Sequence, residues 1–331
     1  MLAIEEIHHD PFFQSWKELL QQEQPFIVRG LVSNWPIVKS ENASAGDCKN
    51  RWLNSPLREP VTLLKIDCES KGRIFYSKDF NSFNFEQTQC DFNTAVKSIN
   101  QNSRPEETGA LYLGSTNIPH WLPEFYKCHP APIDLPDATA SLWLSNPCVV
   151  APHFDFPNNL ACVISGARQF LLFPPEQVEN LYIGPIDFTP AGQPISLVDT
   201  RHPDLSVHPN YKIALTHAQT ATLFPGDAVF IPSMWWHQIE SLHEVNGLVN
   251  FWWRDDSEKS SPLAALLHAI LAYKSLRPRQ KSAWLALIRY FALGSSDNEF
   301  DYIPDHVRGV LGSLDERDRR ALREAIRNAL R

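Results

Sequence analysis

Proline sets the first limit on this chain. Its 26 prolines outnumber its 13 glycines and recur from Pro11 to Pro304. Each one removes a backbone donor and breaks or kinks a helix interior, so a helical bundle running the whole length is excluded. The 10 tryptophans and 19 phenylalanines exclude the opposite extreme, because a disordered chain lacks such aromatics. What remains is a folded chain of 331 residues, long enough for two domains or for one large β domain with attachments.

Hydrophobic patterning divides that length. Residues 11–22 have helical periodicity, and PFIVRG at 25–30 reads as a buried strand closed by a glycine turn. The stretch 40–60 is polar and loop-like. A strand is expected at VTLLKID, an aromatic hairpin at RIFYSKDFNSFNF, a helix over 91–100, a strand at ALYLG and an irregular segment over 119–136. From Ser141 to Arg254 the texture becomes short apolar runs separated by turns: SLWLS, CVVAPHFD, NLACVISG, RQFLLFP, ATLFPGDAVFIP, WWHQIESL and GLVNFWW. Such spacing predicts a β-sandwich or small barrel rather than alternating strands and helices. Beyond Arg254, residues 262–293 read as two amphipathic helices broken at Pro278. A third follows over 314–330, where Ser313 and Glu316 have the spacing of a capping box. The expected division is a β core over 1–256 and a helical C-terminal region over 257–331.

Charge and cysteine content narrow the partners and the compartment. A net charge of −8 disfavours a phosphate-backbone partner, and the basic stretch from Arg317 to Arg331 is interleaved with acids as on a solvated helix. Six scattered cysteines without C-x-x-C spacing suit a reduced protein. The first residues lack a signal-peptide pattern and no run is long enough to span a bilayer, so a cytoplasmic protein is expected.

Two segments carry candidate chemistry. In APHFDF, His153 and Asp155 stand two apart, a spacing that places both side chains on one face of an extended strand. A third ligand from a distant strand would complete the two-histidine, one-carboxylate face used by non-haem iron sites. His237, in PGDAVFIPSMWWHQIES, lies in the same β-rich region and is costly to bury without a partner. On the residues alone, a polar strand end and a core histidine bonded to a carbonyl remain open.

The order of these motifs carries a resemblance. H-x-D, then NNLACVISGARQFLLFPPEQVENLY, then PGDAVFIPSMWWHQIES and VNFWW, with PFIVRGLVSNWP near the start, resemble the JmjC-type 2-oxoglutarate oxygenases. The likeness is greatest to their cupin-like branch, typified by the asparaginyl hydroxylase that inhibits hypoxia-inducible factor, and is best over about 110–254. It implies a mainly β protein: a double-stranded β-helix (jelly-roll or cupin barrel) with flanking helices. It also implies Fe(II) held by His153, Asp155 and His237, with 2-oxoglutarate as cosubstrate and molecular oxygen as oxidant. Arg168 stands where the nearest relatives have a lysine for the distal carboxylate. A guanidinium can grip a carboxylate bidentately, although its longer fork would shift the depth of the pocket. Tyr112, Asn159 and Asn250 match other polar residues of the cosubstrate pocket, and Trp252 matches an aromatic beside the substrate groove. Val150 replaces a threonine and removes one donor.

The activity so implied is oxidative decarboxylation of 2-oxoglutarate coupled to hydroxylation of a C–H bond, on a protein or peptide side chain. Two alternatives stand beside it: another cupin-type metal-dependent oxygenase that needs no 2-oxoglutarate, and a non-catalytic cupin-fold binding or scaffolding module. Histone-lysine demethylation is less favoured without a zinc cluster, and a nucleic-acid substrate is disfavoured by charge. In the asparaginyl hydroxylase the C-terminal helices form a dimer, and Leu266, Ile270, Trp284, Leu287 and Phe291 could form such a face here. The loops 119–136 and 183–215 would line the substrate groove.

Overall fold

A computed structural model describes residues 1–41, 53–135, 137–255, 262–294, 300–312 and 314–330. Much of the polar stretch expected over 40–60 lies outside them. The strands are β1 (Leu2–Ala3), β2 (Glu5–Ile7), β3 (Phe26–Val28), β4 (Pro60–Ile66), β5 (Arg73–Ile74), β6 (Phe85–Asp91), β7 (Ala110–Asn117) and β8 (Thr139–Ser145). They continue as β9 (Cys148–His153), β10 (Asn158–Ser165), β11 (Arg168–Phe173), β12 (Gln219–Leu223), β13 (Ala228–Ile231), β14 (Trp236–Ser241) and β15 (Asn246–Trp253).

These strands form two sheets. A six-stranded sheet runs β1-β12-β11-β14-β9-β5, and a nine-stranded sheet runs β2-β3-β13-β10-β15-β8-β7-β4-β6. Most neighbours are non-consecutive and mark crossed connections between the two sheets, the jelly-roll arrangement that the apolar runs predict. Strand alternation then sorts the side chains. Leu142 and Leu144 face outward into a core shared with Phe92, Val96 and Ile99 of the helix Phe92–Gln101 and with Phe125. Residues of the opposite face, including Ala161, Val163, Phe170, Leu172, Val229, Ile231 and Leu248, meet between the sheets with Trp143 and Ile239 packed against them. That second core fills one part of the barrel and leaves a polar cavity beside it.

Some local expectations need correction and others hold. The segment 119–136 contains two short helices, Ile118–Trp121 and Pro123–Cys128, each with proline in its first turn. There the missing N–H costs nothing, so proline starts a helix rather than excluding one. The two helices expected over 262–293 are divided at Pro278 as expected, with Pro278 in the first turn of the helix Pro278–Phe291. The aromatic stretch 73–85 folds back on itself as the expected short hairpin, through the antiparallel bridge Tyr76↔Phe83, and in addition β5 joins β9 in parallel. The last helix, Glu316–Ala329, is capped by Asp315, whose carboxylate accepts from the Asp318 N–H at 2.8 Å. A carboxylate here satisfies an orphan donor and meets the positive end of the helix dipole; Ser313 lies outside the described residues.

The chain separates into two compact units, Met1–Asp255 and Asp256–Arg331. In the second, Tyr273 of the helix Pro262–Tyr273 stacks on Trp284 with ring centroids 5.4 Å apart. None of its described residues is buried. No described helix is long and apolar enough to cross a membrane.

Candidate metal and anion site

The site is built where a ladder fails. His237 pairs with His153, yet Ile239 pairs with Val150, so β9 carries one residue more than β14 across this step. Such a bulge re-aims side chains, and Pro152, which cannot donate to a ladder, falls within it. His153 is the last residue of β9. Asp155 therefore lies just past the strand rather than on it, and the chain bends there into the turn before β10. His153, Asp155 and His237 nevertheless converge, with their ligand atoms all within 4.8 Å of one another. His237 Nε2 stands 3.5 Å from Asp155 Oδ2.

Both imidazoles are oriented for ligation. His153 Nδ1 bonds the Ala151 carbonyl at 2.9 Å and His237 Nδ1 the Trp235 carbonyl at 3.0 Å. A carbonyl only accepts, so each Nδ1 carries the proton and each Nε2 lone pair is left toward the triad. This is the outer support that metal-ligating histidines ordinarily have. Burial and the neighbouring His237 push the His153 pKa down to about 4, so the ring is neutral near pH 7. Burial by itself would raise the Asp155 carboxyl, but the adjacent His237 and His153 outweigh it and hold the pKa below the usual range. Two imidazole nitrogens and one carboxylate on one face fit a divalent metal with open positions.

The lowered His153 pKa has a stability consequence. In the unfolded chain the imidazole takes its proton near pH 6.5, whereas in the native protein it does so only near pH 4. The unfolded state therefore binds more protons in that window, and stability falls as pH drops through it. His129, also depressed by burial, contributes with the same sign. The metal-free protein is expected to lose on the order of 3 kcal/mol between pH 7 and pH 4 from His153. Thermal melts of the metal-free protein and of His153→Gln should show a shallower decline in the variant over that range.

The triad opens into a narrow cavity of about 40 Å3 lined also by Tyr112, Trp143, Val150, Asn159, Arg168, Asn250 and Trp252. Arg168 begins β11 directly opposite Ser241 of β14, while Leu172 lies opposite His237. Arg168 thus stands four residues, roughly 13 Å of strand, along β11 from the position opposite His237, and both line one cavity. Arg168 is 3 % exposed. It donates one long hydrogen bond, Nη2 to the Trp143 carbonyl at 3.3 Å, and its Nε finds no acceptor. Among the described residues no carboxylate pairs with it. Burial lowers its pKa, but a guanidinium remains charged near neutrality. Burial raises the Tyr112 pKa, so its hydroxyl is protonated beside that cation.

The remaining expected residues gather in the same cavity. Asn250 Nδ2 donates to Asn159 Oδ1 at 3.2 Å, and Asn250 Oδ1 accepts from Trp143 Nε1 at 2.7 Å. Trp252 Nε1 is buried without an acceptor. Val150 adds an apolar wall. Trp143 is the residue that motif reading missed; its signal was an aromatic at the middle of Ser141-x-Trp143-x-Ser145, the strand face opposite the leucines.

A jelly-roll barrel with a His-Asp-His face and a buried cation in one cavity defines a cupin scaffold equipped to hold a metal. The chain belongs to the cupin-like domain family, whose model matches residues 13–259. It is 39% identical over 110 residues to lysine-specific demethylase JMJ31 of Arabidopsis thaliana, covering 33% of this chain and 20% of that protein. It is 30% identical over 151 residues to human HSPB1-associated protein 1, covering 44% of this chain and 30% of the relative. Over 260 residues it is 26% identical to tRNA wybutosine-synthesizing protein 4 of Gibberella zeae, covering 72% of this chain and 22% of the relative. The chain thus matches about a fifth to a third of these relatives' lengths.

Proposed function

We propose that the chain is an Fe(II)- and 2-oxoglutarate-dependent oxygenase that hydroxylates a C–H bond, most favourably on a protein side chain. The observation that carries the reading is Arg168, a buried guanidinium with no counter-anion among the described residues, in one cavity with an intact metal-ligating triad. A desolvated, unpaired cation is costly, and an anionic ligand bound beside it would offset that cost. A ligand reaching from the triad to Arg168 must carry a metal-chelating group at one end and a carboxylate at the other, as 2-oxoglutarate does.

Each side chain then has a defined task. His153, Asp155 and His237 would hold the metal; bound iron would supply oxygen activation coupled to decarboxylation of the keto acid. Arg168 and the Tyr112 hydroxyl would bind the distal carboxylate. Asn159 and Trp252 would offer N–H donors nearer the triad, and Val150 with Ile239 would exclude water between them. Hydroxylation of an N-methyl C–H would also lead to demethylation, the activity named for the Arabidopsis relative. The asparaginyl-hydroxylase likeness, with its protein side-chain substrate, belongs to this proposal.

The direct test is anaerobic loading with Fe(II) followed by oxygen and 2-oxoglutarate, with succinate quantified. Succinate formation that requires both metal and keto acid supports the reading. Metal-dependent oxygen consumption without any 2-oxoglutarate requirement would replace it with the alternative cupin oxygenase, and absence of metal binding would favour a scaffold.

The C-terminal unit adds a partner. Leu266, Ile270, Trp284, Leu287 and Phe291 are each about 40–50% exposed, more apolar surface than an isolated helical pair ordinarily leaves in water. A second copy covering this face would make a homodimer. Light scattering of the full chain at micromolar concentration should give twice the 37.7 kDa chain mass, and Leu266→Glu with Leu287→Glu should return it to the single-chain value.

A further inference from the structure

Trp143 sits in this cavity without any role in holding the metal or the distal carboxylate. Its indole N–H only donates, so Oδ1 of Asn250 must be the acceptor of the 2.7 Å bond between them. That fixes the Asn250 amide, whose Nδ2 is then available to donate to Asn159 Oδ1 at 3.2 Å. Asn159 is fixed in turn, with Nδ2 as its remaining arm. Among the described residues no acceptor meets that Nδ2, and Asn159 lines the same cavity as the triad.

The relay follows the strand register. Trp143 lies opposite Leu248, Ser141 opposite Asn250, Ala161 opposite Asn250 and Asn159 opposite Trp252. Both hydrogen bonds are therefore diagonal contacts between neighbouring strands, running from β8 through β15 to β10. A further contact ties in the far end of the cavity, because the Trp143 carbonyl also accepts from Arg168. Gly114 leaves the indole its space: a Cβ there would stand 2.8 Å from the Tyr112 ring and 3.2 Å from Trp143.

We infer that Trp143 is a positioning residue that sets the hydrogen-bond polarity of the cavity, forcing Asn250 and Asn159 to present an amide N–H, rather than a carbonyl, to an anionic ligand beside the metal. The identity of that anion as a 2-oxo acid rests on the function proposed above. The polarity itself rests only on a donor that cannot accept. With the indole replaced by a ring lacking N–H, both amides could rotate together and turn an acceptor oxygen toward the ligand.

Two measurements test this. In the first, 15N-labelled full-length protein is compared with Asn250→Asp by the indole N–H resonances, Trp143 being assigned from Trp143→Phe. The Trp143 signal is expected to move downfield when its acceptor becomes a carboxylate; an unmoved signal would overturn the relay. In the second, anaerobic calorimetry on Mn(II)-loaded protein measures 2-oxoglutarate affinity. Trp143→Phe is expected to weaken it about tenfold, and Asn250→Asp, which cannot donate to Asn159, by more. Affinity for Mn(II) alone should stay within about twofold in Trp143→Phe, which changes no charge, a pattern that a general packing defect would not give. Unchanged keto-acid affinity in both variants overturns the inference. If the parent protein itself binds no 2-oxoglutarate, the proposed function fails, and the resonance measurement still decides the relay.

Discussion

Replacing Arg168 by methionine should make the metal-free protein more stable and the proposed turnover of 2-oxoglutarate far worse. The two effects have one cause. A guanidinium that is 3 % exposed has lost most of its hydration, and the protein returns only one long hydrogen bond, leaving Nε without an acceptor. Replacing a buried ion with an apolar side chain of similar volume is often stabilising by about 1–4 kcal/mol. Methionine also adapts its shape to irregular gaps. The same substitution removes the charge-assisted grip on a carboxylate, worth about 2–4 kcal/mol when the charge is desolvated. That corresponds to roughly 30- to 1000-fold in the KM for 2-oxoglutarate. Thermal melts of the metal-free proteins and initial rates over a range of keto-acid concentration check both signs. A purely structural arginine would give the reverse on the first measurement, with Arg168→Met melting lower. Arg168→Lys should bind 2-oxoglutarate less tightly than the parent, because one ammonium cannot reproduce the planar fork.

The sequence showed the triad more readily than the cavity around it. H-x-D and a histidine after an apolar β-rich run are local patterns, and their chemistry depends on residue type. Their geometry was less legible, since strand alternation alone explained the convergence of His153 and Asp155. The structure instead ends β9 at His153 and places a bulge opposite Gln238, and a bulge depends on pairing between distant strands. Arg168, Tyr112, Asn159 and Asn250 were legible only through resemblance. Nothing in RQFLLF distinguishes a buried arginine from a surface one until its neighbours are placed. Trp143 was hidden for a further reason: periodicity assigns it a face, but the bond to Asn250 needs the register of β8 against β15. In the C-terminal unit, the 3.6-residue pattern revealed the two helices and Pro278 marked the division between them.

Loss of Asp155 should abolish both metal retention and turnover, and the size of the loss can be bounded from below. Mutating the outer partners that merely orient metal ligands typically costs 10–100-fold in affinity or activity. Asp155 is a proposed ligand itself and the only carboxylate among the three, so Asp155→Ala should exceed the upper end of that range. Charge strengthens the argument. With Asp155 present, two neutral imidazoles and one carboxylate reduce a divalent ion to a net +1 in a largely dry site. With alanine the full +2 charge faces the Arg168 guanidinium across a low-dielectric cavity, where repulsion between like charges is poorly screened. Asp155→Asn keeps the shape and one oxygen donor but not the charge, so it separates the two contributions. Its Mn(II) affinity should fall between those of the parent and the alanine variant. Calorimetric Mn(II) titration and succinate formation under Fe(II) measure the two consequences separately. Parent-like succinate formation by Asp155→Ala would remove the triad, and with it the proposed function.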